Sequence, residues 1–122
     1  MVEIATADHN NPVNISKIAE SQDISRKYLE SLLVKLKKQE ILKSLRGQKG
    51  GYMLNRAPDD VSVYEISEAL DGPIKLVDCE EGKQNCSRQA NCTTVRLWEH
   101  LNKTLVQEMK RVKLSDLIEN EY

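Results

Sequence analysis

Three cysteines, Cys79, Cys86 and Cys92, stand within fourteen positions of a 122-residue chain that contains no others, separated by six and then five residues. An odd number crowded into one short stretch points to metal or thiol chemistry before a disulfide framework. Three thiolates on a loop that can fold round one centre suit the soft ligation of an iron–sulfur cluster, with a fourth position left for another ligand. Zinc would ask for a fourth cysteine or a well-placed histidine, and His9 and His100 stand at no such spacing. On these residues alone, buried or redox-active thiols remain as open as a metal.

A second chemical signal lies in the charges. Eight basic residues between Ser25 and Lys49 (Arg26, Lys27, Lys35, Lys37, Lys38, Lys43, Arg46, Lys49) face only Glu30 and Glu40. That is a local balance of +6 in a chain of net charge −1, so the remainder carries −7. Segregation of this kind is the electrostatic footprint that phosphate neutralisation requires, although a solvated basic helix would look the same on charge alone. Enzymatic patterns are missing: there is no nucleophile with a neighbouring histidine base, no Walker-type phosphate loop and no paired carboxylates. The glycines at 47–51 lie between strands and not ahead of a helix. The first residues lack a signal peptide's basic start and apolar run, and no apolar stretch approaches the roughly 20 residues of a membrane span. A cytoplasmic protein without membrane partners is expected.

With 39% hydrophobic and 30% charged residues, the chain has the composition of a globular domain able to bury one modest core. Residues 1–7 read as the tail of a helix whose beginning is missing, since Val2, Ile4 and Ala5 enter without an N-cap. Asn14 can cap a short helix ending near Glu20, with Ile15, Ile18 and Ala19 on one face. A tight turn at 21–23 and the apolar plug Ile24 lead to Ser25, which can cap a second helix lined by Leu29, Leu32, Leu33 and Leu36. Two short helices joined so closely form a helix-turn-helix. Strands at 41–46 and 52–55 flank a loop holding three of the five glycines, which makes a wing tipped by Arg46 and Lys49. Ser62 and Glu65 are spaced as a capping box for a helix with Ile66, Ala69 and Leu70 inward, ended by Gly72-Pro73.

After the cysteines, one long helix over about 93–113 carries Trp98, Leu101, Leu105, Met109 and Val112 on a stripe. Nothing else in so small a chain matches its length, so this stripe is expected to meet its copy in a homodimer. The start of that helix abuts Cys92, where the helix dipole favours a thiolate. The predicted fold is mainly α: a winged helix-turn-helix with a two-stranded wing and a long C-terminal dimerisation helix. One compact domain would comprise a DNA-binding region at 1–75, a cysteine loop at 76–92, and the dimerisation helix and tail at 93–122.

Taken in order, Ile24-Ser-Arg-Lys-Tyr-Leu-Glu30, the wing Leu45-Arg-Gly-Gln-Lys-Gly-Gly-Tyr52 and the cysteine trio resemble the IscR and NsrR type of iron–sulfur transcription regulators over essentially the whole chain. The resemblance implies double-stranded DNA as partner and a 2Fe-2S or 4Fe-4S cluster on Cys79, Cys86 and Cys92. Its fourth ligand is unknown: some members take it from an acidic residue in an N-terminal stretch not found here, and others from a histidine where this chain has Val95. Asp23 and Glu40 occupy positions where glycine is usual.

For DNA, the first turn of the recognition helix, Ser25, Arg26, Lys27 and Tyr28, would meet base edges or phosphate in the major groove, with Tyr28 half in the core. Glu30 resembles the acid that reads cytosine in this family, and pairing with Arg26 at i, i+4 is the plainer alternative. Arg46, Gln48 and Lys49 would grip the minor groove or backbone. The expected function is redox, nitric oxide or iron sensing by a DNA-binding regulator. A metal-free thiol switch and a truncated winged-helix dimer without DNA binding are the alternatives.

Overall fold

The structure is a computed structural model that describes residues 1–7, 11–47, 49–77 and 91–122. Cys79, Cys86, Gln48 and His9 lie outside the described residues. In chain order the elements are α1 (Val2–Thr6), α2 (Ile15–Ser21), α3 (Arg26–Lys38), β1 (Leu42–Leu45), β2 (Gly51–Leu54), a 3₁₀ turn (Pro58–Asp60), α4 (Val63–Asp71), α5 (Val95–Arg111) and α6 (Leu114–Glu119). The mainly helical fold with a two-stranded wing is the expected one.

Local chemistry accounts for the helix boundaries. The Asn14 side chain accepts the Ser16 N–H at 2.8 Å, and the Ser25 hydroxyl accepts the Tyr28 N–H at 3.1 Å. These are the two N-caps expected from the residue types. Both helices of the helix-turn-helix then close in the same way. After α2, Asp23 N–H donates to Glu20 O and Ile24 N–H to Ala19 O, with Asp23 at φ 50°. After α3, Glu40 N–H donates to Lys37 O and Ile41 N–H to Leu36 O, with Glu40 at φ 55°. Each is a Schellman closure, whose left-handed residue is ordinarily glycine and whose following apolar residue packs inward. Ile41, in that role, is 1% exposed.

The core forms where α3 lays Leu29, Leu33 and Leu36 against Ile4 and Ala5 of α1, Ile18 and Ala19 of α2, and Ile41 and Leu42 at the root of the wing. β1 and β2 pair antiparallel in the register Leu42↔Leu54 to Leu45↔Gly51. Val13 adds a bridge to the outside of β2, exchanging both backbone hydrogen bonds with Tyr52 at 2.8 and 3.0 Å. α4 begins at the expected capping box, with Ser62 and Glu65 each bonding the other's backbone, and it ends at Gly72, φ 83°. The long helix expected over about 93–113 is α5, and the tail after it forms a further short helix. α5 stops at Arg111, and Leu114 opens α6, which returns to pack beside α1 and the 3₁₀ turn with Leu114 fully buried.

Two predictions follow from these closures. A left-handed L-residue costs about 1–2 kcal/mol, part of which glycine returns through its greater freedom in the unfolded chain. Glu40→Gly is therefore expected to raise unfolding free energy by about 0.5–1 kcal/mol in urea titration; a loss of stability would contradict this account of the turn. At the capping box, burial pushes the Glu65 carboxyl up. Hydrogen bonds from the Ser62 N–H, Arg56 and the Ser62 hydroxyl, together with the Arg56 charge, outweigh burial and bring it from 4.5 down to about 2. The folded value lies below the unfolded one, so this stabilisation is complete above 4.5 and fades as pH falls towards about 2. Glu65→Gln should cost about 1–2 kcal/mol at neutral pH, a figure discounted for solvent screening. Its stability curve should converge with that of the parent at the acid end.

Candidate nucleic-acid interface and thiol site

α3 turns its leucines inward and leaves Ser25, Arg26, Lys27, Tyr28 and Glu30 exposed on the opposite side. Tyr28, expected half in the core, is 58% exposed, because Leu29 takes the inward position in that turn. Arg26 Nε and Glu30 Oε1 pair at 3.2 Å, both side chains largely exposed. Such a pair is worth under about 1 kcal/mol, so either partner is released readily to a better ligand.

The wing supplies the second surface. Gly47 sits at φ 116° and accepts the Gly50 N–H at 2.9 Å, closing the tip with Arg46 and Lys49 both exposed. A side chain at Gly51 would run into the Val13 carbonyl, so the bare backbone there lets the 11–14 segment close against the wing.

The basic residues prove to be of two kinds, which their number alone does not reveal. Lys35 Nζ donates to the Leu70 carbonyl at the end of α4 at 2.5 Å, and Lys37 Nζ donates to Ser44 Oγ of β1 at 2.6 Å. Both are ties that hold α3 against its neighbours. Lys27, Lys38, Lys43, Arg46 and Lys49 make no ion pair or hydrogen bond among the described residues and stand exposed. Sequence reading missed the two ties, since no local pattern distinguishes a lysine that reaches across to another element.

Of the cysteine trio, Cys92 lies among the described residues as a free, half-exposed thiol just ahead of α5. Its Sγ lies 3.3 Å from Thr94 Oγ1. Hydrogen bonding from the Thr94 side chain, then from the Thr94 and Val95 N–H groups, lowers the thiol pKa against a small opposing effect of burial. Among the described residues no group of three or more His, Cys, Asp or Glu is gathered to hold a metal. No described helix is long and apolar enough to cross a membrane.

α5 buries none of its side chains fully. Trp98, Leu101 and Leu105 of the expected stripe are 37%, 41% and 36% exposed, Met109 and Val112 are half-buried, and Leu97 beside them is 52% exposed.

The sequence pattern of the Rrf2 family, described as iron-dependent transcriptional regulators, matches residues 1–120. The chain belongs to the Rrf2 family. Among its relatives, the HTH-type transcriptional regulator IscR of Erwinia tasmaniensis is 33% identical over 121 residues, 99% of this chain and 73% of that protein. IscR of Sodalis glossinidius is 34% identical over the same share of each chain. Among solved structures, T. potens IscR superposes with a TM-score of 0.77 at 30% identity, covering 99% of this chain and 79% of that one. CymR, the global cysteine regulator of B. subtilis, does so with 0.78 at 28% identity, covering 98% and 87%. This Rrf2 protein is a winged-helix, DNA-binding transcriptional regulator of the IscR kind and not an enzyme.

Because the wing depends on the bare backbone at Gly51, Gly51→Ala should break the Val13–Tyr52 bridge and destabilise the protein by about 2 kcal/mol or more, read by thermal unfolding. Gly47→Ala, where a side chain meets open space but φ is positive, should cost about half as much. Equal losses at the two positions would argue against the close approach.

Proposed function

We propose that this Rrf2 regulator binds duplex DNA as a homodimer whose affinity is set by the state of the Cys79, Cys86 and Cys92 segment. The proposal places the first turn of α3 in the major groove. There the exposed Arg26 and Lys27 meet base edges or phosphate, Tyr28 lies alongside, and Glu30 leaves Arg26 to accept from a cytosine amino group. Ser25 holds the helix N-terminus in place through its cap. Arg46 and Lys49, with Gln48 beside them, reach the adjacent minor groove or backbone. Trp98, Leu101, Leu105, Met109 and Val112 meet their counterparts across the dimer, covering apolar surface that a single chain leaves in water.

The observation that carries the reading is Cys92: an acidified thiol at the head of the helix that would join the two protomers. Such a thiol fits the donor type that iron prefers, and the family's iron dependence supports a cluster there. When bound, an iron–sulfur cluster would supply a centre that oxygen, nitric oxide or iron scarcity can alter. The chain's own part is to hold Cys92 at a helix end, so that any change in the cysteine segment bears on α5. Its C-terminal end is clamped to the winged helix, and the separation of the two recognition helices follows.

A metal-free thiol switch is the second reading, favoured by the likeness to CymR. Two of the three thiols would join in a disulfide, giving two electrons and two protons to an oxidant such as a peroxide.

The test is anaerobic purification with iron, acid-labile sulfide and visible absorption measured together with operator binding. Matched iron and sulfide, lost in Cys92→Ala, is the expected result, and Arg46→Gln should reduce the salt slope of DNA binding by about one. Colourless protein that resists reconstitution but changes DNA affinity on oxidation would replace the cluster with the switch. A lack of salt-dependent binding to any duplex would leave only a dimer that does not bind DNA.

A further inference from the structure

Between the segment that follows α4 and the side of α5 runs a groove of about 610 Å³ that lies apart from the first turn of α3 and the wing. Its size falls within the range of small-molecule sites, about 300–1,000 Å³. The groove is a built feature. Gly72 at φ 83° and Pro73 turn the chain away from α4. The Leu76 N–H then donates to Asn102 Oδ1 on α5 at 3.0 Å, which fastens one wall to the other. Ile74, Leu76 and Val77 form one side, and Trp98 and Val106 form the other.

The polar lining is one-sided. Among the described residues the charged lining sets Lys103 and Lys110 against one acid, Glu99, while Lys75 is engaged in an interaction of its own. Lys110 Nζ already rests over the Tyr64 ring, 4.7 Å from its centroid. A cation so placed still has N–H groups to offer an anion. Lys103 has no ion pair or hydrogen bond among the described residues. On a helix of about 100° per residue, Trp98, Asn102 and Val106 face roughly a third of a turn away from the Leu97, Leu101 and Leu105 stripe. The groove and the dimer stripe are thus neighbouring faces of α5 that share Trp98 at their border.

We propose that this groove is a binding site for a small amphipathic carboxylate, its aromatic or branched apolar body against Trp98 and Val106 and its carboxylate at Lys103. Apolar walls with a few convergent polar groups are the ordinary make-up of such sites, and an excess of lysines excludes cations. The inference is independent of the cluster and goes beyond it, so it is tested on cluster-free full-length protein.

Trp98 is the only tryptophan in the chain, so its fluorescence reports on the groove directly. Titration with phenylacetate should give a saturable change in Trp98 emission. Benzyl alcohol, which has the ring but no charge, should bind about tenfold more weakly, and phenethylamine should give no saturable change. Lys103 is exposed, and Lys103→Gln should remove the tenfold preference for the carboxylate while leaving the alcohol unchanged. The proposal is overturned if phenylacetate and phenethylamine act alike, if the response does not saturate, or if Lys103→Gln binds phenylacetate as the parent does.

Discussion

The arrangement of this molecule depends on one short seam. Val63 N–H donates to Val112 O at 3.0 Å and Leu114 N–H donates to Val61 O at 2.8 Å, with Val61 and Leu114 both 0% exposed. The seam joins the start of α4 to the junction of α5 and α6 through two hydrogen bonds beside the core, where an unpaired backbone group would carry a heavy desolvation cost. Through it, the end of the long helix is part of the winged-helix core, while its beginning lies three residues after Cys92. Under the proposed function, a helix anchored at one end and altered at the other would pass a local change to the DNA-reading surface.

α3 is held on every side except the exposed one that carries Arg26, Lys27, Tyr28 and Glu30. Leu29, Leu33 and Leu36 fasten it to the core, Lys35 to the end of α4 and Lys37 to the wing. Schellman closures fix the turns before and after it, both with acidic residues in the left-handed position. The strain at Asp23 and Glu40 is small beside the burial it permits, since a fully buried Ile or Leu contributes roughly 1.5–3 kcal/mol. The basic segment is therefore partly scaffold and partly surface. Its charge is a poor count of freely placed cations, because Lys35 and Lys37 are each held in one place by a hydrogen bond to another element.

α5 has the opposite character, with little of it buried and two faces in water. One is an apolar stripe that suits a second copy of itself; the other, with the chain after Pro73, walls a lysine-lined groove. Both include Trp98, six residues beyond Cys92. If both proposals hold, a partner helix, the cysteine segment and a small anion would all act on the N-terminal half of one helix, whose far end the seam holds against the core.

Caps, periodicity and turn chemistry are local, and they were legible from residue order alone. Asn14, Ser25 and the Ser62–Glu65 box stand where their side chains can reach backbone two or three residues on, and the helices begin there. The helix-turn-helix, the wing and the projecting apolar stripe follow from the same short-range rules. The cysteine trio was legible as chemistry, and its resemblance to iron–sulfur regulators carried the family. What residue order left undecided is everything that joins elements distant along the chain. Tyr28 points outward because Leu29 occupies the core, Lys35 and Lys37 tie α3 to other elements, and Leu114 folds back into the centre. Asn102 closes a groove with a segment 26 positions earlier. Each of these outcomes depends on which surfaces remain available once the core has closed, and that competition between distant side chains for one interior has no short-range pattern to betray it.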